Sequence, residues 1–274
     1  MHVSLQKIDT IEQLEEMARL EAEVWGTIPV PTHQTLTAAK NGGIIIGAFV
    51  DGKMVGFVYS FPGYEDGQIY LCSHMMGIAK PFRDKGIGYM LKMKQAQEAI
   101  KKGYRTIRWT YDPLQSRNGY LNIAKLGAVC SQYVENYYGQ MEDALNKHLP
   151  SDRFIVEWLL ESRYLQERSR FFSNIAWSPE NVALNWKQNN NGDPVPVCKE
   201  EFPLYDQPFL LVPVPLQFQR LIETDLALAL DWRYKTRDVF VRLFRKGWAV
   251  AHIIRKEDEP ILYYVCVKRS ELPI

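Results

Sequence analysis

The chain has little of what would settle its class by composition alone. Its 274 residues hold four cysteines, Cys72, Cys130, Cys198 and Cys266. No two stand at the spacing of a metal-ligand pair or a redox motif, so no metal is implied. A secreted disulfide framework is not expected; free thiols in a cytoplasmic protein are. Neither sign of charge dominates, with 33 Lys and Arg against 32 Asp and Glu. That balance gives no electrostatic reason to expect a nucleic-acid partner. Long hydrophobic runs are missing too. The stretch Pro208 to Gln219 is free of charge but too short for a bilayer, and Pro213 and Pro215 break it, so no membrane partner is expected. Met1 to Lys7 lacks an apolar core, and no signal peptide is read there. What remains, at 46% hydrophobic and 24% charged, is an ordinary globular composition with enough chain for one large domain or two.

Patterning fills in the elements. Val3 to Ile8 reads as a short strand. Asp9 and Thr10 can cap a helix over 11–25, where Ile11, Leu14, Ala18 and Ala22 recur at helical spacing. Pro29 and Pro31 end it. Gly43 to Val50 and Met54 to Phe61 flank Asp51-Gly52, a strong hairpin signal. Gln68 to Ile78 is a third strand. After the loop Pro81 to Gly88 a helix runs to about Lys102, with Ile87, Met90, Met93, Ala96 and Ile100 as its apolar stripe and Gly103 just past its end. Arg105 to Tyr111 is a strand stopped by Asp112-Pro113. Gly119 to Leu126 is a short helix closed by Gly127, and Phe154 to Leu160 another strand.

The texture changes after about residue 160. Asn189 to Pro194 reads as a polar linker or exposed loop. Beyond it stand a strand at Phe209 to Val214, a mostly helical run from Leu216 to Lys246, and strands at Trp248 to Ile254 and Ile261 to Val267. On the long helix, Arg220, Arg233, Arg237, Arg242, Arg245 and Lys246 read as a solvated face. Two domains are expected, over 1–160 and 161–274, the second a smaller α+β module.

The chemistry concentrates in Ile78 to Tyr89, where a strand enters a loop that opens a helix. Gly86 and Gly88 allow backbone N–H groups to approach a ligand, and a helix N-terminus favours an anion. Arg83 and Lys85 would add charge-assisted contacts. A plain strand-to-helix turn with solvated charges accounts for the spacing equally well. A dinucleotide fingerprint would need a third glycine where Leu91 stands, and no Gly-Lys-Ser or Gly-Lys-Thr triplet exists.

Arg83-Asp84-Lys85-Gly86-Ile87-Gly88 resembles the Arg/Gln-x-x-Gly-x-Gly/Ala signature of the GNAT N-acyltransferase superfamily, and the order of elements over about 1–160 resembles that family as well. Ser73-His74-Met75, Asp112-Pro113-Leu114, Arg117-Asn118, Lys125-Leu126-Gly127-Ala128 and Leu149-Pro150-Ser151-Asp152-Arg153 look closer to a longer bacterial group of predicted acetyltransferases with a C-terminal extension. The resemblance implies an α/β fold, a GNAT-type mixed sheet flanked by helices. It implies acetyl-CoA or another acyl-CoA as cosubstrate, its pyrophosphate on Arg83, Asp84, Lys85, Gly86, Ile87 and Gly88, and its pantetheine arm along Met76 to Ile78. The acceptor is expected to be a small-molecule amine, with an amino acid as one option. A homodimer is left open.

Individual roles follow from the same resemblance. His74 stands at the offset where some family members hold a histidine beside the acceptor amine, and an imidazole can take its proton. A hydrogen-bonded structural histidine is the competing account. The family's tyrosine near the sulfur would fall on Ile123, counted back from Gly127, so Tyr120 or Tyr138 must substitute if a general acid exists. Asn118 stands closer to Gly127 than the family's asparagine and is carried over as a donor or acceptor contact. Asp152 and Arg153 could hold the ammonium and carboxylate of an amino acid, or be a cap and a surface arginine. Two other functions stay open: a non-catalytic acyl-CoA-binding or sensing protein, and a tandem GNAT-like aminoacyl or peptidyl transferase.

Overall fold

A computed structural model describes residues 1–139, 149–199 and 206–274. The chain divides into two compact units, Met1–Trp109 and Thr110–Ile274. Residues 110–160, expected to belong with the transferase domain, thus lie in a unit with the C-terminal segment.

The first unit is a mixed sheet with strand order β1-β2-β3-β4-β5. It begins with β1 (Ser4–Lys7) and α1 (Ile11–Trp25). Thr10 caps α1 by accepting from the Gln13 N–H at 3.4 Å, and Gly26 closes it with a left-handed turn. The apolar stripe of α1, carrying Leu14, Met17 and Leu20, packs with Ile8, Ile45, Phe57, Tyr59 and Met75. A second helix, α2 (Thr32–Lys40), follows Pro31. Then β2 (Ile44–Val50) turns into β3 (Lys53–Glu65) through Asp51 and Gly52, both at positive φ (50° and 77°), as a primed hairpin turn requires. β3 pairs antiparallel along the whole of β4 (Gln68–Ile78). Tyr59 faces Met75 and Ser60 faces Ser73, so His74 is an extra residue, a β-bulge.

The helix α3 (Ile87–Lys101) lies on the face of the sheet opposite α1, with Gly88 against Met76 and Ile78. Its buried residues are Ile87, Gly88, Leu91, Lys92, Gln95, Ala96 and Ala99. This corrects the stripe drawn from the sequence: Ile100 is exposed, while a lysine and a glutamine point inward. The strand β5 (Thr106–Tyr111) pairs in parallel with β4 at only two positions, Leu71↔Ile107 and Cys72↔Arg108.

The second unit carries strands in the order β7-β6-β11-β12-β10: β6 (Val129–Val134), β7 (Arg153–Leu159), β10 (Leu210–Pro215), β11 (Trp248–Arg255) and β12 (Ile261–Lys268). Its pairs are antiparallel. The short helix α4 (Ser116–Gly119) runs into a π-helical turn, Tyr120–Lys125, and Gly127 follows at φ 74°. From α5 (Arg163–Phe171), Arg168 donates to the Ile123 and Ala124 carbonyls at 3.0 and 2.9 Å, satisfying the end of that turn. The stretch Asn189 to Pro194, read as a linker or an exposed loop, is the turn of a hairpin, β8 (Asn185–Gln188) and β9 (Pro194–Val197). The long helical run breaks at Asp225 into α6 (Phe218–Thr224) and α7 (Leu226–Arg245); the Asp225 carboxylate caps α7 by accepting from the Leu228 N–H at 2.9 Å.

The basic side of α7 is not uniformly wet, as had been expected. Arg233 is 1% exposed and forms a bidentate pair with Asp112 at 2.8 and 2.5 Å. Burial pulls the Arg233 pKa down, and the charge and hydrogen bonds of Asp112, with Tyr133 and Asp152 nearby, together hold it above the ordinary guanidinium value.

Candidate active site

The first unit assembles one half of what the sequence foreshadowed. β4 carries on to Ile78 after its pairing with β5 has stopped at Cys72. The Ala79 N–H donates back to Val55 of β3 at 2.9 Å, so the Ile78 carbonyl in the same peptide points the other way. Arg83 Nε takes that carbonyl at 3.1 Å. By the alternation of a strand, the N–H and C=O of Met76 and the N–H of Ile78 also face the open side.

Beyond β4 the chain makes a short 3₁₀ turn, Lys80–Phe82, and then two positive-φ residues, Asp84 (65°) and Gly86 (78°). Gly86 is the N-cap of α3, and a Cβ built on it would meet nothing within 4 Å. The backbone there is open to a ligand, and the first-turn N–H groups of α3 have no partner inside the helix. Arg83, Asp84 and Lys85 are exposed around it, with Lys85 Nζ over the Phe82 ring at 5.2 Å. Open backbone at a helix N-terminus favours an anion.

His74, on the bulge, stands exposed beside two rings, Tyr59 at 5.8 Å and Phe61 at 5.6 Å. Desolvation by these neighbours lowers its pKa below the ordinary imidazole value. The imidazole is therefore neutral at pH 7 and free to accept a proton.

Sequence reasoning missed Lys92. It is 3% exposed, one helical turn past Gly88, and donates from Nζ to Ser73 Oγ and to Gln95 Oε1, both at 3.0 Å. The same ammonium lies 3.6 Å from the centroid of the Trp109 ring. Burial drives its pKa down to about 7. The signal available in the sequence was the pair Lys92 and Gln95 at i, i+3 on the side of α3 that also carries Leu91, Ala96 and Ala99.

The remaining expected residues lie in the second unit. Asn118 and Tyr120 are exposed, with Lys125 Nζ 5.5 Å from the Tyr120 ring centroid, and Ile123 is fully buried. Tyr138 is also exposed and bonds Thr110 through its hydroxyl at 2.9 Å. Asp152 is fully buried. It accepts from Tyr133 Oη at 2.5 Å, from the Asn136 N–H at 3.0 Å and from two nitrogens of Arg237 at 2.8 Å each. Arg153 is buried as well, donates to the Asp152 carbonyl at 3.2 Å and lies 4.0 Å from Asp112. The polar atoms of both residues are engaged inside the unit. The unit also has a cavity of about 330 Å³ lined by Ala124, Arg168, Ser169, Phe172 and His252. Burial and the nearby Arg168 charge lower the His252 pKa to about 4. Among the described residues, no helix is long and apolar enough to cross a membrane.

Residues 9–120 match the model of the acetyltransferase (GNAT) family, a stretch of under half the chain. No curated protein matches the chain. Among solved structures, it is similar to the ribosomal-protein-S18-alanine N-acetyltransferase of Escherichia coli, at 15% identity and TM-score 0.48, over 58% of this chain and 94% of that one. It is also similar to Arabidopsis thaliana Naa50 in complex with a bisubstrate analogue, at 18% identity and TM-score 0.46, over 57% and 98% of the two chains. A GNAT family acetyltransferase from Elizabethkingia anophelis with acetyl-CoA bound is similar at 16% identity and TM-score 0.43, over 57% and 97%.

Proposed function

We propose that this protein transfers an acyl group, acetyl first among the candidates, from acyl-CoA to the primary amine of a cytoplasmic small molecule, an amino acid being one option. The observation that carries the reading is the open Gly86 turn at the start of α3, reached directly from a strand whose edge is free beyond Cys72. The N–H groups around Gly86, Ile87 and Gly88 would hold the pyrophosphate, with Arg83 bracing the loop through Ile78 and Lys85 adding charge. The backbone of Met76 and the Ile78 N–H would pair with the pantetheine arm. The thioester supplies an activated acyl carbon. This chain's residues orient it, the acceptor amine attacks that carbon directly, and the C–S bond breaks to release CoA as its thiolate, with no covalent enzyme intermediate.

His74 accepts the proton that the amine loses. It is suited to this by its neutral form and by the bulge, which presents it outside the regular pairing of β4. No role is assigned to Tyr120 or Asn118, and Asp152 and Arg153 are left out of acceptor recognition because their polar atoms serve the fold.

Gly86→Val tests the donor site. The valine must adopt a positive φ that it resists, and its methyl groups would fill the opening. Calorimetry should show CoA affinity reduced by about 100-fold or more, equal to roughly 2.7 kcal/mol. Unchanged affinity in a folded variant would remove the site from Arg83 to Gly88. Turnover is then measured with a panel of acyl-CoAs against amino acids, polyamines and peptides. Binding of acyl-CoA without turnover on any amine would favour a sensor.

A further inference from the structure

The gap between β4 and β5 has a built floor. Pairing ends at Cys72↔Arg108, so Ser73 and Trp109 are the first residues on either side of the opening. One buried ammonium ties both to α3. Lys92 Nζ donates to Ser73 Oγ at 3.0 Å and lies under the Trp109 ring at 3.6 Å. Gln95 locks the arrangement by accepting from Lys92 at 3.0 Å and donating to Ser73 Oγ at 3.1 Å. The partners of Lys92 are a hydroxyl, an amide and an indole face, all neutral.

A donor anchored at Gly86 and laid along Ile78 and Met76 runs toward lower numbers on β4. Each residue of strand advances about 3.3 Å. Its acyl end is therefore directed at His74 and Ser73, and past them at the indole. We propose that Trp109, held in place by Lys92, is the floor of the acyl pocket and restricts the donor to short acyl groups. This rests on the donor placement above and adds the residues that set the acyl length. The indole is a flat wall fixed from beneath by a charge. An apolar chain pushing past it would have to break the cation–π contact and strip hydrogen bonds from an ammonium already out of water.

The test is a binding series by calorimetry on the full chain, with free CoA, acetyl-CoA, butanoyl-CoA and hexanoyl-CoA. Each acyl-CoA is referred to free CoA in the same protein. In the wild type, hexanoyl-CoA should bind about 10-fold to 100-fold more weakly than acetyl-CoA, the usual range for misfit methylenes in a pocket. Trp109→Ala should abolish most of that difference, and Lys92→Met, which leaves the indole untethered, should reduce it by a smaller factor. If the alanine variant does not fold, Trp109→Leu takes its place. Equal binding of acetyl-CoA and hexanoyl-CoA by the wild type, or the full difference persisting after Trp109 is replaced, would overturn the floor while leaving the donor site standing. A wild type that binds no CoA at all would overturn the donor site, and the floor with it.

Discussion

Both units bury cations, and they do so in opposite ways. In the second, Arg233 is matched by Asp112 in a bidentate pair, and Arg237 reaches Asp152, which Tyr133 and Asn136 also hold. Each of these charges has a counter-charge from a distant part of the chain; Arg233 and Asp112 are 121 residues apart. In the first unit, Lys92 is equally buried and is surrounded by neutral groups. Paired burial fixes a fold, because removing one partner strands the other. Unpaired burial leaves a group whose charge is poised, as sites of chemistry often do.

Asp112→Asn should break the first half of the comparison hardest. It leaves Arg233 with a neutral partner in a buried position, at a cost of about 3–5 kcal/mol. Denaturant unfolding checks this. A loss well under that range would mean water or another group replaces the carboxylate.

A smaller effect is expected at the bulge. His74→Ala should lower kcat by about 100-fold, the usual worth of a positioned base. Activity of the wild type should rise with pH through a midpoint below the ordinary imidazole value, because the neutral form is the active one and desolvation favours it. His74→Gln separates the roles: near-normal turnover with the same pH profile would make His74 an orienting residue.

Lys92 provides the pH test of unpaired burial. Its pKa falls from 10.5 to about 7 in the folded protein. Between those values the unfolded chain binds a proton that the folded one does not, so this group's contribution to stability grows as pH rises from 7 toward 10.5, is lost as pH falls back to 7, and is flat below it. The stability of Lys92→Met relative to the wild type should therefore be greater at pH 6 than at pH 9, by about 2–3 kcal/mol. Thermal unfolding of both proteins at the two pH values measures it. A pH-independent difference would place a counter-charge beside Lys92.

Much of the first unit was legible in the sequence. The bounds of α1 and β4, the Asp51-Gly52 turn and the glycine loop before α3 rest on local rules: a cap, a period, a primed turn. α2 was missed because it follows two prolines and has only Thr35 and Ala39 buried, too narrow a stripe to detect. The strands β8 and β9 went unread, though the turn between them was marked as a linker or exposed loop, because prolines 194 and 196 suppress the signal of β9. At the site the glycines were readable and Lys92 was not, because the apolar period was drawn through Met90, Met93 and Ile100 on an adjacent face. The burial of Asp152, Arg153 and Arg233 was not legible for a different reason. Local sequence shows a charge but not its counter-charge, and here Asp152 pairs with Arg237 and Arg233 with Asp112, each from another element.

The bulge at His74 bears on how this chain could tolerate a deletion. Removing one residue from a strand ordinarily turns every later side chain to the wrong face. Here Ser73 faces α3, Met75 packs with α1, and Met76 and Ile78 return to α3, so His74 is the one residue outside the alternation. A chain lacking it keeps Ser73 opposite Ser60 and Met75 opposite Tyr59, now as uninterrupted neighbours. The histidine is thus a residue whose loss would leave the register of the sheet around it unchanged.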